Sequence, residues 1–429
     1  MTAPTAHVVG AGIAGLAAAV RLADSGVRTV VHEASNTAGG RCRSFYDKAL
    51  GLEIDNGNHL LLSGNRAALD YLDRIGSRDL LSAPRAAIFD FADLKSGERW
   101  RLRPNDGRAP WWLLDRNRRA PGTTLREYLA AIHILRAPAN ATLAQAMRCA
   151  GPLYERLWRP VLLSALNIEP SDGAASLAAA VIRETLAAGG KACRPLVAAR
   201  GLSQTFVEPA LAFIQRRGGE VVYSDALRAI RFEGAHAVRL EFEAGEAPLG
   251  REEDYVILAV PPWTARRLVP GLETPDEFRA IVNAHFCIAP PAGQPPVLGV
   301  VNGLTQWLFA FPDRLSVTIS AGDELIDHPR EELVSEVWRE VAALTGLASD
   351  LPPARIVKEK RATFAATPGQ NAKRPGSRTQ WANLALAGDW IRTGLPATIE
   401  GAVRSGNEAA SLALNRASAP NLQVVGALR

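Results

Sequence analysis

The chain has 429 residues, 47% hydrophobic and 22% charged, a length and composition that suit more than one packed core. Its 49 basic and 44 acidic side chains leave a net charge of +5, which excludes a disordered polyelectrolyte and offers no basic stripe for a nucleic-acid partner. Cys42, Cys149, Cys193 and Cys287 stand far apart with no CxxC, so no metal site is expected, and a reducing cytoplasm is the expected setting.

Six lysines leave 43 arginines among the basic residues, and the pI near 9.2 is compatible with weak attraction to anionic lipid. No run of about 20 apolar residues predicts a spanning helix. No signal peptide is expected, because an ordered motif begins by His7.

Ala6 to Val9 reads as a short buried strand. Gly10-Ala11-Gly12-Ile13-Ala14-Gly15 follows, then a helix-forming run from Leu16 to Ala23 that Gly26 ends, then a second strand from Val27 to His32 with Glu33 at its end. This is a dinucleotide fingerprint in its required context. Gly10 permits the turn, Gly12 lets backbone approach a pyrophosphate, and Gly15 lets helix and strand pack closely. The candidate contacts are Gly10, Gly12, Ala14 and Gly15 for the diphosphate and Glu33 for the ribose hydroxyls. The motif alone does not choose between NAD and FAD.

Gly39-Gly40-Arg41-Cys42-Arg43-Ser44 comes next. A GG-R-x-x-S/T sequence here resembles the second FAD motif of the amine oxidase and carotenoid desaturase flavoproteins. The resemblance makes Gly39, Gly40 and Arg41 cofactor contacts. Asn56-Gly57-Asn58-His59 then lies where those proteins bring a loop along the isoalloxazine ring, so Asn56 and Gly57 join the set.

Residues 76–190 read as mostly helical after a β-like stretch from Ala87 to Leu102, with Trp111, Trp112 and Trp158 standing out. Arg156 to Asn167 is apolar for a surface helix; the 152–168 helix that holds it, with Arg156 and Arg159 flanking Trp158, suggests membrane contact. Gly201-Leu202-Ser203 precedes an amphipathic helix from Phe206 to Arg217 and a strand reaching Tyr223, resembling the segment that meets the adenine near Val222. Tyr255 to Pro262 is another buried strand. Four strands are expected within Ile281–Ser320, and a helix from Arg330 to Thr345.

Leu384 to Ala387 is a small strand before Gly388-Asp389-Trp390, and Thr393 to Gly406 then runs into an Ala-rich helix to about Leu414. This resembles the last FAD motif, implying that Gly388, Asp389 and Thr398 bind the cofactor and that the chain ends fold together. The tail after Ala419 reads as loose. The expected fold is α/β. A discontinuous Rossmann-type FAD-binding domain comes from 1–75, 195–275 and 375–429. An inserted mixed α+β substrate domain comes from 76–194 and 276–374.

Asp55 to Leu62, Ala165-Leu166-Asn167, Ala284-His285-Phe286, Thr305 to Phe309, Lys358 to Phe364 and Gly394 to Gly401 resemble the squalene-associated FAD-dependent desaturase, or hydroxysqualene dehydroxylase, family of hopanoid biosynthesis. Asn58 stands where that family usually has glutamine, and Ser63-Gly64-Asn65 departs from its pattern. The resemblance implies a triterpenoid lipid substrate, reduction of hydroxysqualene to squalene, an external electron donor for the flavin, and peripheral contact with the inner face of the cytoplasmic membrane. Composition and spacing alone reach only an FAD oxidoreductase with a large, partly apolar second domain.

Dehydroxylation needs a proton donor, and His59 and Asp55 are the candidates. Backbone hydrogen bonding is the competing role for His59, and a turn is the competing role for Asp55. Trp158, Trp307, Phe309 and Phe311 are candidate tunnel residues, with core packing as the alternative for each. Desaturation of a polyprenoid is the competing reaction. An amine oxidase is disfavoured by the absence of Ser-Gly-Cys-Tyr near the carboxyl end and of a tyrosine pair after Asp389.

Overall fold

The computed structural model describes residues 4–129, 131–250 and 254–417. The tail beyond Ala419 lies outside them. Strands Thr5–Val9 and Arg28–His32 are short, valine-rich and almost wholly buried, as parallel strands covered by helices must be. They sit in a five-stranded parallel sheet ordered Glu220–Val222, Arg28–His32, Thr5–Val9, Tyr255–Leu258, Leu384–Leu386. The first strand is central, and the chain leaves it on one side and returns on the other. That switch point opens a crevice at the strands' carboxyl ends.

The alanine-rich helix Ile13–Asp24 packs on this sheet, and the last helix, Ile399–Ala417, packs on it in turn. Gly406 permits the approach, since a Cβ there would overlap the carbonyl oxygen of Ala14. The two ends of the chain thus close one structure.

A seven-stranded mixed sheet faces the parallel one. Its order is Ala354–Phe364, Phe278–Phe286, Leu315–Ile319, Trp307–Ala310, Val297–Val301, Phe89–Asp93, Arg99–Leu102. Phe89–Asp93 runs parallel beside Val297–Val301, so both inserted stretches contribute to one sheet. Helix Arg330–Thr345 covers one face through Leu333, Val337, Trp338 and Val341. The Ala354–Phe364 edge has a charged centre, Lys358-Glu359-Lys360-Arg361, that breaks the apolar alternation, so its bounds were not legible beside the four strands expected within Ile281–Ser320.

The apolar stretch expected as a membrane-facing helix is instead core. A wide π-helical turn, Tyr154–Trp158, leads into helix Arg159–Leu166, and Leu157, Trp158, Leu162, Leu163 and Leu166 are buried. Arg156 lies 5.3 Å over the Trp100 ring and pairs with Glu98 at 2.7 Å, while Arg159 pairs with Glu169 at 3.0 Å. Those cations are held by protein carboxylates.

Candidate functional site

A cavity of about 840 Å³ is lined from both sheets. At one end its wall is the turn after the first strand, with Gly10, Gly12 and Ala14, together with Glu33, Gly39 and Gly40. The two glycine turns touch: the Gly39 N–H donates to the carbonyl of Ala11 at 2.8 Å. A Cβ on Gly15 would overlap the carbonyl oxygen of Gly10, so Gly15 does not face the cavity; it sets how closely helix and turn approach. A Cβ on Gly12 would meet nothing, because that backbone borders open space. Helix Ile13–Asp24 has no capping side chain and no acid in its first turn, which leaves its N–H groups to an anion.

This end fits the diphosphate and ribose of FAD. Glu33 stands at the carboxyl end of its strand on the cavity wall, its Oε2 accepting from Ala11 N at 2.8 Å. Arg41 donates to the carbonyl of Ala362 and pairs with Asp389 at 2.7 Å, joining the two ends of the chain across the site. Gly388 and Asp389 reach the wall, as does Thr398, whose Oγ accepts from Gly401 N at 3.0 Å and caps the last helix. Val222 is off the wall. Its carbonyl accepts from Glu33 N at 2.8 Å within the sheet, and Asp225, Ala226 and Leu227 line that end instead.

The middle of the cavity is polar. Asn56, Gly57, Asn58 and His59 form the loop between strands Leu52–Asp55 and Leu60–Leu62. The loop is seated on the mixed sheet. The Asn58 amide donates to Ser316 Oγ at 2.8 Å and Thr318 Oγ1 at 3.0 Å, and Thr318 donates to Asn283 Oδ1 at 2.8 Å. Asn167, in the left-handed position ending its helix, donates to Thr363 Oγ1 at 2.9 Å and accepts from Ala321 N at 2.7 Å. Asn283 and Thr318 escaped sequence reasoning. Their one signal is a polar residue among the apolar positions of its strand, which Arg279, His285 and Ser316 on the same strands share.

His59 faces this space, and its ring makes no hydrogen bond to any described residue. The backbone-bonding role weighed for it is absent. Burial and the Arg41 guanidinium lower its pKa to about 4, so the imidazole is neutral at pH 7 in the protein alone. Glu359, missed in the sequence, also lines the cavity, its Oε2 accepting from Asn56 Nδ2 at 3.4 Å.

Asp55 is not on the wall. Its carboxylate accepts from Ser44 Oγ at 2.6 Å and Leu202 N at 2.8 Å and lies 3.5 Å from Arg314, in a structural knot whose burial raises its pKa. His285 is equally internal, 2.8 Å from Ser316 Oγ, with burial pulling its pKa to about 3.

The far end is apolar. Leu157 and Val161 share the wall with Ser164 and Ala165, a helical spacing that turns Trp158 away into the core. Trp307 and Phe309, two apart on one strand, both face the cavity, beside Phe89 and Phe91. Phe311 would continue the alternation, but the strand ends at Ala310; Phe311 instead lies 4.1 Å beneath the Arg314 guanidinium. Trp158 and Phe311 therefore do not line the cavity.

A family model for flavin-containing amine oxidoreductases matches residues 13–414. Over 410 residues the chain is 56% identical to a protein named hydroxysqualene dehydroxylase from Rhodopseudomonas palustris, covering 96% of this chain and 98% of that one. It is 53% identical to a protein of the same name from Sinorhizobium fredii, covering 95% and 98%. Among solved structures it resembles cyclohexylamine oxidase from Brevibacterium oxydans, with a TM-score of 0.68 at 16% identity over 96% of this chain and 99% of that one. A likeness that distant speaks to the fold alone.

Proposed function

The chain belongs to the hydroxysqualene dehydroxylase family of the flavin-containing amine oxidoreductases, and on that premise we propose that it reduces hydroxysqualene to squalene with FAD as its cofactor. The observation that carries this reading is one cavity joining a glycine-rich, anion-ready end to an apolar end through a polar middle. A triterpene offers no charge to grip, so its affinity must come from buried apolar area, at about 25 cal/mol per Å².

In the net reaction the C–O bond breaks, the oxygen leaves as water with an added proton, and hydride completes a C–H bond. Bound and reduced, FAD supplies that hydride. The turn from Gly10 to Gly15 with Gly39 and Gly40 would hold the diphosphate, Glu33 the ribose, and Arg41 and Asp389 the segment toward the flavin. Asn56 and Gly57 would hold the ring.

His59 protonates the departing oxygen; of the two acids expected, it alone reaches the cavity. One cause of its low pKa is the cation of Arg41. A diphosphate bound beside Arg41 would offset that cation and make the imidazole more basic. Trp307 and Phe309 present π faces to the carbon that loses its hydroxyl, where positive charge develops. The apolar wall excludes water, which would otherwise capture that carbon.

The sequence carries one dinucleotide fingerprint, and an external donor recharges the flavin. No helix among the described residues is long and apolar enough to cross a membrane, and uptake of the lipid takes place by docking at the inner face of the cytoplasmic membrane. The test is an anaerobic single turnover of reduced enzyme with hydroxysqualene. One squalene per flavin oxidised is expected; flavin oxidation without squalene, or none at all, defeats the reading.

A further inference from the structure

Of nine large apolar side chains exposed among the described residues, five fall between Trp111 and Ile132. Trp111 is 69% exposed, Leu114 66% and Leu129 55%, and Leu125 and Ile132 each 42%. Their neighbours point the other way. Trp112 and Tyr128 are buried and meet edge to face at 5.6 Å, and Leu113 and Ile134 are buried beside them. The segment is a thin layer, apolar on its inner side against the core and apolar again on its outer side.

The same stretch is strongly basic. Between Arg103 and Arg136 it carries seven arginines against Asp106, Asp115 and Glu127, a net +4 of the chain's +5. The three carboxylates are engaged elsewhere. Glu127 closes a capping box with Thr124, Asp115 accepts from Asn117 N at 2.9 Å, and Asp106 lies 3.9 Å from Arg194. Arg108, Arg116, Arg126 and Arg136 are exposed.

The layer is joined to the cavity wall through its neighbours, since Leu102, next to Arg103, lines the cavity. Wall residues Thr185 and Leu186 lead into a turn at Gly189–Ala192, and Gly190 N donates at 2.7 Å to the carbonyl of Asn105, six residues before Trp111.

We infer that residues 103–129 and 131–136 form a docking face for an anionic phospholipid bilayer. The tryptophan, leucine and isoleucine side chains enter the interface and the arginines meet lipid phosphates. A protein partner of ordinary mixed charge would leave those arginines unmatched. The inference deepens the proposed function by naming where the lipid is met, yet it is read without substrate, so it stands or falls apart from hydroxysqualene turnover.

The experiment is sedimentation of the FAD-loaded full chain with vesicles of phosphatidylcholine alone or mixed with phosphatidylglycerol. Binding to the anionic vesicles should exceed binding to neutral ones by about tenfold and fall as salt rises. Leu114→Asp with Leu129→Asp, and separately Arg116→Ser with Arg126→Ser, should each reduce bound protein about tenfold. The flavin spectrum and turnover of detergent-dispersed substrate should stay unchanged. Parent protein that ignores anionic vesicles, variants that bind like the parent, or a solution dimer that Leu114→Asp dissolves would each overturn the inference.

Discussion

The two ends of the cavity are built on opposite principles. The cofactor end relies on backbone: close turns at Gly10–Gly15 and Gly39–Gly40, a bare helix terminus, and the Glu33, Arg41 and Asp389 side chains at fixed points. The lipid end relies on area, with Phe89, Phe91, Leu157, Val161, Trp307 and Phe309 spread over three separate stretches of chain. Directional contacts fail all at once when one atom is misplaced, whereas apolar contacts fail in proportion to the area lost. The polar loop of Asn56–His59 lies where the two regimes meet.

The broadest effect should come at the cofactor end, because a chain without flavin has no hydride to deliver. Gly15→Ala forces a methyl into the carbonyl of Gly10, and bound flavin per chain should fall at least about tenfold. The ratio of visible to ultraviolet absorbance after gel filtration reads this directly. Retention of full flavin would erase the contrast between the ends.

At the junction, His59→Gln should leave flavin binding intact and lower the rate of squalene formation by about 10²- to 10⁴-fold. Glu359→Gln should cost far less, and a reversal of that order would move the proton donor to Glu359. On the proposal that the protonated imidazole is the donor, single-turnover rate should fall as pH rises through the His59 pKa. That pKa is about 4 in the protein alone and should rise when FAD is loaded, which NMR titration of the ring can follow.

The smallest change belongs at the lipid end. Phe309→Ala should raise KM roughly tenfold through lost apolar area, with no change in the flavin content. A loss of flavin instead would mean that the two ends are not separable.

The same contrast explains what the sequence disclosed. Gly10 to Glu33 is local, and its spacing is dictated by one turn, so strand, helix and cofactor class can be read from a single window. Arg41 and Asp389 sit in recognisable motifs 348 positions apart, and the family resemblance joined them. The mixed sheet was legible as strands, but the bounds of its highly charged edge at Ala354–Phe364 were not. Apolar residues announce burial without saying against what. Trp158 and Phe311 pack into protein, while Leu157 and Phe91 face the cavity, a distinction set by helix rotation and strand ends. Asp55 looked like an acid beside the flavin loop, and only the fold reveals that Ser44, Leu202 and Arg314 surround it. The Arg156–Asn167 stretch and the Trp111–Ile132 stretch are alike in apolar and basic content, yet one is core and the other exposes Trp111, Leu114, Leu125, Leu129 and Ile132.

The most direct test of the account is whether cofactor and lipid occupy one continuous space. FAD-loaded enzyme should be titrated with squalene while the visible flavin band is followed. A saturable perturbation at one squalene per flavin, weakened by Phe309→Ala, is the predicted result; squalene that binds the protein and leaves the flavin spectrum untouched would contradict it.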